Sequence, residues 1–411
     1  MLRNYLKMAI KVLLRKKFYT FISMFGISIT LAILLVVTSF WEHATGEQAP
    51  EVNLDRSLVV SRMKLKDKRG GNYMDGASFY FLDHYVRKLS TPEKMSFYSF
   101  PGTVSAFIGD RKVNLDRKFA DAAFWEVLKF KFIEGRGYTA EEVENSQSVA
   151  VISRSFKEKA FGKESAAGKE VKINQDKFRV VGVVEDVSFV RYHTSGDLYL
   201  PVSLDKGFQK NKNILGNYAA MLVAENPGRR KEIQKEYAAM MQQVEIPEPH
   251  KFESAHSHAD TYLASYTRTF LGNDETNTGV NTLYATIGLI AFLFIMLPTV
   301  NLVNINISRT MERASEIGAR KAMGASSFSL VLQFLVENLV LTVFCGVLAV
   351  GLAYGAMEAI NASQFIEHLQ LTINYEILIK GMLFALFFGL LSGVYPAWRM
   401  SRLQAAEALK I

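Results

Sequence analysis

Cysteine is all but missing. The single one, Cys345, permits no internal disulfide, so each folded part must hold by packing alone. It lies in an apolar stretch and reads as inert packing. Charge is nearly absent from four stretches, residues 18–41, 282–307, 328–355 and 377–398, and dense elsewhere. Each is long enough for a helix rising about 1.5 Å per residue to cross about 30 Å of hydrocarbon. Buried helices of a soluble protein seldom run so long with so few charges. Four membrane-spanning helices are therefore expected.

Acidic residues are absent from positions 1–41, which hold six basic ones. Lysine and arginine are absent from 356–376. Basic residues return at Arg309, Arg313, Arg320 and Lys321, and at Arg399, Arg402 and Lys410. Cytoplasmic loops carry such excess. Both termini and the loop 308–327 are thus expected in the cytoplasm, with 42–281 and the short loop 356–376 outside. Residues 42–307 hold 34 basic and 33 acidic residues, so the net charge of +8 sits beside the spans. No basic face interleaved with aromatics points to nucleic acid. The first apolar run is longer than the core of a secretory signal and lacks a convincing cleavage site, so an uncleaved helix is expected. Residues 1–17 alternate apolar and basic positions at helical spacing, as an amphipathic helix on the cytoplasmic lipid surface would.

Catalytic patterns are missing too. Gly162-Lys163-Glu164-Ser165 lacks the upstream glycine of a phosphate-binding loop. His256-Ser257-His258 with Asp260 is a weak metal candidate, because histidines at i and i+2 share a helix face poorly. No nucleophile motif occurs, and neither metal nor cofactor is expected on this chain. Residues 42–281 mix apolar runs and helices without regular βαβ alternation, which predicts an α+β domain inserted between the first two spans. Strands are expected near 57–63, 96–100, 103–108, 112–119, 148–152, 170–173, 177–184 and 218–224. A Lys-rich turn is expected over 64–72, and helices over 77–89, 154–161 and 227–244, the last with Asn226 as N-cap and Pro227 at the first position.

The loop 308–327 is rich in helix formers. Glu316 and Arg320 form an i,i+4 pair, Gly324 suits a helix end, and Ser326 or Ser327 can cap the next span. A short cytoplasmic helix between spans is a natural docking knob. Gly381, Ala385, Gly389 and Gly393 line one face of the fourth span, and Gly351 and Gly355 mark the third. Small residues at this spacing let backbones pack closely in lipid. Pro298 is expected to kink the second span or break its ladder. Asn301 can supply an interhelical hydrogen bond. Glu337 costs about 2.5–3.5 kcal/mol at a helix centre and should face other helices or the interface.

Three blocks carry a resemblance. The first runs from Asn301 through Arg313-Ala-Ser-Glu316-Ile317-Gly318-Ala-Arg320-Lys321-Ala322-Met323-Gly324-Ala325 to Glu337. The second is Tyr395-Pro396-Ala397-Trp398-Arg399 with Glu407-Ala408-Leu409. The third comprises Glu134-Gly135-Arg136, Val149–Ser153, Gly168-Lys169 and Phe178–Asp186. With these the chain resembles the MacB/FtsX-like family of ABC transporter permeases. The resemblance implies a dimeric permease, homomeric or paired with a related chain, served by a separate cytoplasmic ATPase that binds ATP and Mg. It implies docking of that ATPase on Arg313, Glu316, Ile317, Gly318, Arg320, Lys321, Gly324 and Ala325. It also implies an outer domain in two parts, 52–115 with 205–260 and an inserted 116–204. As further partners the resemblance brings a periplasmic adaptor and an outer-membrane channel. The location implied is a bacterial inner membrane. Export of a peptide, lipid, lipoprotein or toxic compound by mechanotransmission is the expectation. The alternative is an FtsX-like subunit that regulates an extracytoplasmic enzyme such as a cell-wall hydrolase.

Overall fold

A computed structural model describes residues 11, 17–108, 111–207, 212–271, 277–312, 319, 323, 324, 326–373, 375, 376, 379, 380, 383 and 387. The amphipathic helix expected over 1–17, most of the loop 308–327, most of the fourth span and the tail 399–411 lie outside these residues. The chain divides into two units. One holds 44–283 with 366–369, the other the remaining residues.

The first unit is built on a 15-stranded mixed sheet. The strands Ser57–Val60, Val149–Ser153, Leu198–Pro201 and Tyr218–Val223 read as apolar runs because both faces are covered. Along Val149–Ser153, Ala150 and Ile152 enter one core while Val149 and Val151 enter the other. Leu198 and Leu200 likewise oppose Tyr199, and Leu58 and Val60 oppose Val59. Period-2 alternation thus distributes side chains between two apolar layers rather than between core and water.

Six strands close into a ring. Leu198–Pro201 pairs with Val149–Ser153, which runs parallel to Asp176–Val184. That strand continues to Glu170–Ile173, then to Gly102–Ile108 and Arg111–Ala120. Arg111–Ala120 returns in parallel to Leu198–Pro201. Beyond the ring, Lys94–Ser99, Tyr218–Val223, Asn72–Ala77, Met63–Asp67 and Phe252–His256 extend the sheet.

Several boundaries differ from expectation. Met63–Asp67 is a strand where a turn over 64–72 was expected, and the turn shrinks to the Gly70 region. Its Met63 and Leu65 are fully buried, while Lys64 is half-buried and Lys66 exposed. The helix expected over 77–89 is Phe79–His84, capped by Ser78 and followed by a 3-10 turn. Asn226 caps Pro227–Arg229 as a 3-10 turn, and the α-helix proper is Arg230–Met241.

In the second unit, helices run over Lys17–Thr45, Val280–Glu312 and Ser327–Ser363. Among the described residues, Thr20–Thr45 and Leu335–Ser363 are long and apolar enough to cross a membrane. The first and third helices pack together through Ile27, Leu31, Val336, Leu341 and Cys345. Ser28 Oγ donates to the Cys345 carbonyl at 3.1 Å, the kind of side-chain bond that joins helices in lipid.

Candidate functional site

The expected docking and packing residues fall unevenly. Arg313, Glu316, Ile317, Gly318, Arg320, Lys321, Ala325, Gly381, Ala385, Gly389 and Gly393 lie outside the described residues. Gly324 is described. Its φ of +92° is a left-handed conformation that suits glycine. Ser326 then accepts from the Ser329 amide at 3.2 Å and caps Ser327–Ser363. Gln333 donates to Glu337 one turn on at 2.9 Å, which gives this acid a polar neighbour on its own helix. The helix Val280–Glu312 continues through Pro298 and Asn301. A side chain added at Gly351 or Gly355 would meet open space within this chain.

The densest polar chemistry lies in the sheet unit, at a place no motif marks. Three chain segments meet at Glu51. The first is the segment after the helix Lys17–Thr45. The second is the connection 185–197, between the ring strands Asp176–Val184 and Leu198–Pro201. The third is the helix Tyr262–Phe270, which precedes Val280–Glu312 in the chain. The Glu51 carboxylate is buried and accepts from Arg191 Nη1, from Thr194 Oγ1 at 2.8 Å and from the Tyr262 hydroxyl at 2.9 Å. Arg191 is buried as well, and its other terminal nitrogen donates to the Gly46 carbonyl at 2.6 Å. The connection is preshaped for this by local turns, with Arg191 N bonded to Ser188 O and Thr194 N to Arg191 O.

A second layer surrounds the ion pair. His193 lies 3.1 Å from the Tyr98 hydroxyl through Nδ1 and 3.2 Å from Ser265 Oγ through Nε2. Tyr266 packs edge-on against Tyr192, with ring centroids 4.6 Å apart. Lys118 is wholly buried on the ring strand Arg111–Ala120. Its Nζ donates to the carbonyls of Ser99, Tyr192 and His193 at 3.0–3.3 Å. Taking two opposite charges out of water costs several kcal/mol per ion, and only good geometry with further hydrogen bonds offsets it. Here both conditions are met. A cavity of about 490 Å³ adjoins this cluster, lined by Ser61, Arg62, Asp75 and Phe100 and walled by Tyr192 and Tyr266.

Sequence reasoning missed this cluster because Glu51, Arg191 and Tyr262 lie 140 and 71 positions apart along the chain. The available signal was the run Arg191-Tyr192-His193-Thr194-Ser195, a polar and aromatic stretch between two buried strands. The weak metal candidates do other work. His256 Nε2 meets Ser254 Oγ, Ser257 bridges the Tyr237 hydroxyl and the Arg62 carbonyl, and Asp260 pairs with Arg268 at 2.6 Å.

Comparison with known proteins matches both units. The family model of the MacB-like periplasmic core domain covers residues 20–239. The FtsX-like permease C-terminal model covers 288–405. The chain belongs to the MacB/FtsX-like family of ABC transporter permeases. A similar relative is an uncharacterized ABC transporter permease YknZ of Bacillus subtilis, 23% identical over 98% of each chain. A macrolide export ATP-binding/permease protein, MacB 2 of Aeromonas hydrophila, is 23% identical over 99% of this chain and 60% of its own length. The chain thus spans about 60% of that MacB relative. The solved periplasmic region of MacB from Actinobacillus actinomycetemcomitans aligns over 45% of this chain and 84% of that one, at 18% identity and a TM-score of 0.35.

Within the MacB-like domain, burial sets the proton affinities of the cluster. It raises the Glu51 carboxyl, against the opposing pull of Arg191, Thr194 and Tyr262. It lowers His193, with the nearby Lys118 charge acting in the same direction, so the imidazole is neutral at pH 7. Burial also pushes the Lys118 ammonium down to about 7, with Glu51 and Asp116 pulling the other way. Between that value and the ordinary lysine range, the unfolded chain binds more protons at this site than the folded one. Stability through Lys118 therefore rises with pH across this interval. Thermal unfolding of the full chain at pH 7 and pH 9.5 should show that rise, and Lys118→Met should flatten it. A slope unchanged in Lys118→Met would remove Lys118 as its source.

Proposed function

We propose that this chain is the permease subunit of an ABC transporter and works by mechanotransmission. A separate cytoplasmic ATPase, with ATP and Mg, drives motion of the extracytoplasmic domain. That motion exports or expels a peptide, lipid, lipoprotein or toxic compound from the outer side of a bacterial inner membrane. The observation that carries this reading is the match to an ABC transporter permease over 98% of each chain. Four spans with both termini inside fit the charge placement. The pairing with an ATPase is supported by relatives whose names join ATP-binding and permease functions. In this reading the chain dimerises, and the small residues at 351, 355, 381, 385, 389 and 393 give packing surfaces to neighbouring helices. A cytoplasmic helix around Glu316–Ala325 seats the ATPase, and Gly324 and Ser326 turn the chain back into the membrane.

Co-purification tests the docking assignment. Glu316→Arg should lower recovery of the ATPase with the full chain by roughly tenfold, the equivalent of about 1.4 kcal/mol of binding. Gly318→Leu should act in the same direction. Undiminished association and stimulated hydrolysis in both variants would place docking elsewhere.

A further inference from the structure

We propose that the Glu51–Arg191 ion pair is the positioning element through which movement of the two membrane-linked segments reaches the strand ring. This inference rests on the mechanotransmission reading and locates its joint. The first ground is connectivity. Glu51 and Gly46 follow the first apolar helix in the chain, while Tyr262 and Ser265 precede the helix Val280–Glu312. Both segments are bonded to 191–194, a part of the ring's own closing connection.

The second ground is continuity beyond that point. The Tyr199 hydroxyl, on a ring strand, donates to the Thr194 carbonyl at 2.8 Å. Lys118, on the adjacent ring strand, holds the Tyr192 and His193 carbonyls at 3.0 Å. These two strands pair directly, with Tyr199 opposite Lys118. A displacement of Arg191 therefore reaches two ring strands through hydrogen bonds, with no slack segment between.

The third ground is energetic. A buried ion pair is often no more stabilising than apolar side chains of the same volume. Stability alone does not account for placing one here. A charged, multiply bonded contact does fix direction and distance, whereas an apolar contact can slide. Three segments converging on one carboxylate are held in a single register.

The test uses the full chain in nanodiscs with its co-purified ATPase. Cys345→Ala removes the native thiol, and spin labels are placed at the exposed positions Glu158→Cys and Lys235→Cys. Glu158 rides on the helix Arg154–Phe161 beside the ring, and Lys235 on the helix Arg230–Met241. Pulsed electron paramagnetic resonance reads the distance with and without ATP and Mg. The nucleotide-driven shift should fall by about half or more in Glu51→Gln/Arg191→Met, while ATP hydrolysis stays within about twofold. A merely structural pair would leave the shift intact wherever the fold survives. An undiminished shift in the double variant overturns the joint, as does the absence of any shift in the labelled parent that hydrolyses ATP.

Hydrogen exchange of the same double variant needs no ATPase. Exchange should quicken together at 188–195 and 262–268, and remain unchanged over Arg230–Met241. Unchanged exchange at either of the first two overturns the joint independently. Failure of any ATPase to associate would instead sink the transport reading and leave this second measurement standing.

Discussion

Glu51→Ala should cost the MacB-like domain about 3–5 kcal/mol, because it leaves the Arg191 guanidinium buried without its counter-charge. Thr194 and Tyr262 lose their acceptor in the same step. Glu51→Gln removes the counter-charge as well, but it keeps one acceptor oxygen and the side-chain volume and should cost less. Hydrogen exchange of the central strands Ser57–Val60 and Tyr218–Val223 in the full chain reports this difference. Exchange limited by global opening should accelerate by about a hundredfold or more in Glu51→Ala. Acceleration below about tenfold would mean that water or a rearranged side chain satisfies Arg191, and that the pair is not dry. The contrast with the double neutral variant matters here. Removing one charge exposes the burial cost of the other, whereas removing both relieves it.

Gly182→Ala and Gly135→Ala should each cost about 3 kcal/mol or more, at the upper end of overpacking effects. A Cβ at Gly182 would lie 2.2 Å from the Arg136 carbonyl oxygen. One at Gly135, where φ is +62°, would lie 2.1 Å from the Val181 oxygen. The two glycines face each other across the pairing of Phe132–Gly135 with Asp176–Val184, beside a shift in register. Arg136 N donates to Val181 O at 3.0 Å there, so the obstacle is backbone and has no rotamer to escape into. Gly102→Ala is the control, since nothing lies within 4 Å of its added carbon. It should change stability by less than about 0.5 kcal/mol. Protease resistance of the folded full chain would separate the three, and equal behaviour of Gly182→Ala and Gly102→Ala would refute the close approach.

Gly135 and Gly182 belong to the blocks that carried the family resemblance, and their physical reason became visible only once the strands were paired. Legibility followed the range of the interaction. Apolar runs such as Val149–Ser153 and Tyr218–Val223 were readable because burial on both faces removes polar residues from the strand itself. Met63–Asp67 was not, because its two buried positions alternate with lysines and the charge density imitates a turn. Asn72–Ala77 is exposed over its first four residues and has no periodic apolar signal to find. The long apolar helices needed no partner to be recognised, because their length and lack of charge suffice. The Glu51 cluster is the opposite case. Each member alone is an ordinary polar residue, and only tertiary structure brings the three segments together. Family membership was carried by motifs, and the joint by contacts between distant parts of the chain.

The closed ring has a further consequence for a domain working outside the cell's reducing and chaperoned interior. An open sheet offers rows of unpaired amide and carbonyl groups that can template the addition of a foreign strand. The return pairing of Leu198–Pro201 with Arg117–Ala120 covers such a row where the ring closes. The opposite end of the sheet, Phe252–His256, carries Glu253 within 3.4 Å of Lys66 on its neighbour, a charged border that discourages stacking. At these two places the sheet offers an extended or partly folded chain little backbone to pair with.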